Sequence, residues 1–92
     1  MEKARVNIIV TGIVQMVGFR YNTVSKASQL DIKGWVRNNR NGSVEIMAEG
    51  RREDVEELVK WCHKGPSGAV VKSVDYNWLD YVGDFKDFSI NF

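Results

Sequence analysis

RVNIIVTGIVQMVGFR, residues 5–20, changes character halfway along. Val6, Ile8 and Val10 alternate with Arg5, Asn7, Ile9 and Thr11, the two-residue period of a half-buried strand. At Gly12 the alternation gives way to small and apolar residues, punctuated by Gly18 and closed by Arg20. Beyond it, residues from about 20 to 30 (RYNTVSKASQL) contain neither Gly nor Pro, and Val24, Ala27 and Leu30 recur at helical spacing. The stretch therefore reads as a strand, a glycine-bearing turn and a helix.

Working onward, IKGWV makes a short strand, and Asn41-Gly42 signals a hairpin because both residues tolerate positive φ. SVEIMAE returns as its partner, alternating Val44, Ile46 and Ala48 with Glu45, Met47 and Glu49. REDVEELVKWCHKG places Val55, Leu58, Val59 and Cys62 on one helical face, with acids in its first turn and Gly65-Pro66 as a stop. VVKSVDYNW alternates through Val74, Tyr76 and Trp78, and FSINF puts Phe88, Ile90 and Phe92 on one face. The order predicts an α+β, ferredoxin-like β-α-β-β-α-β sandwich. Its two helices cover one face of an antiparallel sheet, with an extra C-terminal strand. The 92 residues suit one domain, 1–92, since division would leave two cores too small to stand alone.

In that topology the first two strands run parallel with the third between them, joined by a right-handed crossover. Their C-terminal ends share one edge of the sheet, so the Gly12–Arg20 loop meets Arg37 and Asn38. A loop entering a helix N-terminus exposes backbone N–H groups without internal partners, which suits an anion. Arg20 adds a planar charged fork matched to two oxygens of a phosphate or carboxylate. The alternative is an ordinary strand-to-helix turn whose Arg20 reaches solvent or pairs with a carboxylate.

GIVQMVGFR followed by GWVRNNRNGSVEIMAEG resembles the acylphosphatase family, whose motifs run G-x-V-Q-G-V-G-F-R and G-W-V-x-N with a downstream G-x-V-E. The resemblance spans nearly the whole chain. It implies hydrolysis of the carboxyl-phosphate bond of acyl phosphates, without a metal or other cofactor. It further implies that Gln15, Met16, Val17, Gly18, Phe19 and Arg20 cradle the phosphoryl group, with Arg20 on its oxygens and Asn38 orienting the attacking water. Met16 stands where the family usually has glycine, and Asn41 where it usually has aspartate. A positive φ at position 16 would cost roughly 1–2 kcal/mol with methionine there. Such a cost leaves a catalytically weak anion-binding or regulatory domain as an alternative to an enzyme.

The chemistry fits the residues. Phosphoryl transfer through a loose transition state demands positioning and charge stabilisation more than a strong base. A carboxylate leaves without a general acid because its parent acid has a pKa of about 4. No carboxylate cluster flanks the loop to hold Mg²⁺, and no nucleophile beside Arg20 suggests a phosphoenzyme.

The resemblance implies a small-molecule acyl phosphate and inorganic phosphate as partners, and the charge distribution agrees with an anionic ligand. Residues 1–41 hold seven Lys/Arg against two Asp/Glu, whereas residues 42–92 hold six against ten, so a site built by the first part prefers anions. The overall charge of +1 argues against general nucleic-acid or membrane binding. RNA-recognition domains share the element order, but their signature needs aromatics that Val36–Arg40 lacks. No apolar run spans a membrane, and the charged first residues lead straight into a strand, so a cytoplasmic location is expected, as is a monomer. Cys62, the only cysteine, and His63, the only histidine, read as a buried and a solvated helix position. Trp35, Trp61 and Trp78 read as packing residues.

Overall fold

The computed structural model describes residues 2–92. Strand β1 (Lys3–Ile13) leads through the glycine-bearing loop into helix α1 (Phe19–Gln29), and β2 (Lys33–Asn38) and β3 (Val44–Arg51) form a hairpin. Helix α2 (Arg52–Cys62), β4 (Val70–Leu79) and β5 (Phe88–Asn91) complete the chain. The strand order is β4-β1-β3-β2-β5. The four strands of the ferredoxin-like motif pair antiparallel, and β5 extends the sheet by pairing parallel to β2, which makes the whole sheet mixed.

The alternation in the sequence becomes two faces. Val6, Ile8, Val10, Val36, Val44, Ile46 and Ala48 are buried in one core with Val55, Leu58, Val59 and Cys62 of α2 and Phe19 and Ala27 of α1. Removing this apolar surface from water is the main force holding the layers together. Helix α1 differs from expectation in its inward stripe: Phe19, Thr23 and Ala27 are buried, while Val24 and Leu30 pack at the margin. Thr23 can lie inside because its hydroxyl donates to the Phe19 carbonyl at 2.7 Å.

The β2–β3 turn also differs. Gly42 alone takes a positive φ (91°), with the Gly42 N–H on the Asn39 carbonyl and the Asn39 N–H on the Ser43 carbonyl. The result is a three-residue loop ending in a left-handed residue, rather than a two-residue turn centred on Asn41-Gly42. Asn41 Oδ1 accepts from the Ser43 N–H at 3.0 Å and from the Ser43 hydroxyl at 2.6 Å. An aspartate would use the same acceptor oxygen, so asparagine serves here equally well.

Across the far end of the sheet, buried Glu49 pairs with Arg5 at 3.0 Å and accepts from the N–H groups of Val82 and Gly83. This carboxylate ties the β4–β5 connection to the sheet, and that connection delivers β5 alongside β2.

Candidate active site

β1 ends at Ile13 with a register shift between Thr11 and Gly12, which releases the chain from the sheet ahead of the loop. In the loop, Met16 (φ 64°) and Gly18 (φ 79°) are left-handed and flank Val17, which is not. Such alternation turns successive N–H groups toward one side. Gly18 is also the N-cap of α1 and makes no side-chain cap, so the first N–H groups of the helix stay open. Among the described residues, none of the backbone N–H groups from Gln15 to Arg20 donates to a protein acceptor.

Met16, Gly18, Phe19 and Arg20 of this loop, with Val14, Tyr21 and Asn38, line a cavity of about 140 Å³. That is room for a small anion together with a water. Asn38, the last residue of β2, reaches it from the neighbouring strand end, and its Oδ1 is buried with no hydrogen-bond partner. A buried acceptor left unpaired costs about 1–3 kcal/mol, a cost that a bound group removes. Arg20 forms no ion pair with a carboxylate of the described residues, and its guanidinium lies 5.4 Å from the centre of the Phe92 ring. Its charge is therefore free for an anion in the cavity.

The expected site residues divide by how they contribute. Phe19 is buried, its ring tilted against Trp61 at 5.4 Å, so its side chain belongs to the core. Gln15 spends its side chain inside the protein: Nε2 donates to the carbonyls of Asn39 at 2.7 Å and Ser43 at 3.0 Å, bracing the loop against the β2–β3 hairpin. Met16 and Val17 frame the turn, and the Met16 side chain is 99% exposed. Arg37 does not join the site. It lies within β2 on the opposite sheet face, bonded to Glu45 at 2.9 Å and stacked 4.8 Å from Trp35. Strand alternation explains this, since adjacent residues point to opposite faces. Val14 and Tyr21 line the cavity without any sequence signal that singled them out.

Larger surface depressions lie elsewhere and offer different chemistry. One of about 370 Å³ is lined by Glu2, Arg51, Arg52, Glu53 and Glu56, which already pair with one another. Cys62 is fully buried, and burial pushes its thiol up to about 12. His63 is exposed, with Nδ1 3.1 Å from the Val59 carbonyl. Among the described residues, no group of three or more His, Cys, Asp or Glu side chains is placed to hold a metal ion.

A ferredoxin-like sandwich that gathers an open-amide loop, an unpaired arginine and an orphan amide oxygen about one small cavity has the features that suit an anion-binding protein. A family model described as acylphosphatase matches residues 6–90. An acylphosphatase of Pelotomaculum thermopropionicum is 47% identical over the full length of both chains. The crystal structure of acylphosphatase from Bacillus subtilis superposes with a TM-score of 0.93 at 32% identity, covering 97% of this chain and 99% of that one. Full-length HypF in its phosphate- and nucleotide-bound form contains a similar unit (TM-score 0.89, 31% identity), 98% of this chain matching 12% of HypF. The chain belongs to the acylphosphatase family, hydrolases that cleave the carboxyl-phosphate bond of acyl phosphates.

Proposed function

We propose that the Gln15–Arg20 loop binds the phosphoryl group of an acyl phosphate, that Arg20 neutralises its oxygens and that Asn38 holds the attacking water. The backbone N–H groups of Met16, Val17, Gly18, Phe19 and Arg20 serve as the cradle, and Gln15 holds that cradle in place. Donors already aimed at the developing charge need no reorganisation during reaction, which is where electrostatic catalysis gains most. An amide oxygen cannot take up a proton usefully near neutral pH, so Asn38 acts by placing water in line with phosphorus. The products are a carboxylate and inorganic phosphate, and Arg20 with the N–H groups supplies the charge stabilisation that a metal supplies in other phosphoryl-transfer sites.

The observation that carries this reading is the buried, partnerless Oδ1 of Asn38, a residue that lines the same cavity as Arg20, Met16 and Gly18. Hydrolysis of a simple aromatic acyl phosphate in excess chelator, with Asn38→Ala alongside, tests it. Chelator-resistant turnover that disappears in the variant is expected; equal turnover in both proteins would remove the role of Asn38.

A second reading, an anion-binding domain with little turnover, draws on one observation: Met16 carries the positive φ that glycine adopts at no cost. Phosphate protection from thermal unfolding without hydrolysis would distinguish it. We further infer a monomeric, cytoplasmic protein acting on small molecules rather than nucleic acid or membranes, in keeping with its single unpaired thiol and net charge of +1.

A further inference from the structure

The cavity that takes the phosphoryl group has an apolar mouth. Met16 is 99% exposed and Tyr21 is 66% exposed, yet both line the same 140 Å³ cavity as Arg20 and Asn38. Phe92, 96% exposed, continues this rim across the Arg20 guanidinium. Single exposed apolar residues are ordinary, but three gathered around one charged cavity mark a surface that gains by being covered. The loop's N–H groups and Arg20 face the phosphoryl end, so the carbon end of a bound acyl phosphate must leave through this mouth.

We propose that Met16 and Tyr21 bind the acyl group and make the site selective for aromatic over short aliphatic acyl phosphates. The inference rests on the reading that the cradle holds a phosphoryl group. The chemistry of each side chain suits the task. A tyrosine ring offers a flat apolar face with a polar tip that stays in water, a match for stacking on an aryl group. The unbranched thioether of methionine adapts to irregular apolar shapes. On this view Met16 trades a strained backbone for an acyl contact that glycine could not provide, a specificity residue set within a phosphate-binding loop.

Binding of non-hydrolysable phosphonates separates this proposal from catalysis. Benzylphosphonate and methylphosphonate share the anionic head and differ in the group that meets the rim. Covering roughly 40 Å² of apolar surface is worth about fivefold in affinity. Titration calorimetry of the intact protein is expected to show benzylphosphonate bound about fivefold tighter than methylphosphonate. Met16→Ala, which keeps the Cβ and the backbone strain, and Tyr21→Ala are each expected to bring that ratio toward one. Equal affinity for the two phosphonates in the parent protein, or an undiminished ratio in both variants, would overturn the rim. Phosphonate selectivity without turnover of any acyl phosphate would instead overturn the hydrolytic mechanism and leave the rim standing. Absence of binding by either phosphonate would overturn both.

Discussion

Gln15 Nε2 lies 2.7 Å from the Asn39 carbonyl oxygen, so the loop that presents the N–H groups is fastened to the residue that follows Asn38. The same amide reaches the Ser43 carbonyl at 3.0 Å. One side chain thereby fixes the distance between the loop after β1 and Asn38 at the end of β2, the residue proposed to hold the water. Gln15→Ala removes two hydrogen bonds while each carbonyl keeps one backbone donor, the Gly42 N–H on Asn39 and the Asn39 N–H on Ser43. A hydrogen bond of this kind is worth about 0.5–1.5 kcal/mol. The expected outcome is a loss of stability of that order in urea unfolding, together with a kcat reduced more than phosphate affinity. Gln15→Glu has no amide donor to offer and is not expected to rescue either property.

At position 16 the expected changes have the opposite sign. Met16 has φ 64°, a conformation that costs a non-glycine residue roughly 1–2 kcal/mol, part of which glycine gives back as unfolded-chain entropy. Met16→Gly is expected to stabilise the protein by about 0.5–1 kcal/mol in equilibrium unfolding. Unchanged or lower stability would show that the loop holds no strain there.

Acid sensitivity should trace in part to Glu45. Burial alone would raise its carboxyl, but hydrogen bonds from Asn7, Arg37 and Asn39 and the charge of Arg37 outweigh that, and the net shift is downward. A carboxyl lowered by folding stabilises the native state fully above its unfolded value of about 4.3, and that contribution fades as pH falls through the lower folded value. Glu45→Gln is therefore expected to flatten the acid limb of the stability profile below about pH 4.5. An identical limb in the variant would assign the acid response to other carboxyls.

The thiol of Cys62 offers a check on the core. Raised to about 12 by burial, it is expected to resist aromatic disulfide reagents at pH 8 until the protein unfolds. Reaction at the rate of a free thiol under native conditions would show that α2 opens readily.

Much of this architecture is legible in the sequence. The alternation of Val6, Ile8 and Val10 and the α2 stripe of Val55, Leu58, Val59 and Cys62 led directly to the core, because strong periodicity is a property of local sequence. The parallel edge position of β5 was not legible, since it depends on a long connection pinned by Glu49 to Val82 and Gly83. That Arg20 and Asn38 lie on one cavity is legible from topology and the family motif together. Tyr21 carries no such signal, because lining a cavity leaves no mark on composition or period, and the bracing role of the Gln15 side chain is equally hidden. Its partners, two backbone carbonyls in a distant hairpin, exist only once the chain has folded.

The proposed division of labour between Arg20 and Asn38 can be tested with two numbers per variant, the turnover rate and the inhibition constant for inorganic phosphate. For Arg20→Ala both should deteriorate, with phosphate inhibition weakened by about tenfold or more, as loss of a charge-assisted contact implies. Asn38→Ala is the more direct measurement. The account predicts phosphate inhibition within a few-fold of the parent and turnover lower by roughly a hundredfold or more, the scale of losing one group aimed at the transition state. Turnover retained in Asn38→Ala, or phosphate inhibition lost along with it, would contradict the claim that this residue holds the water and leaves the anion to the loop.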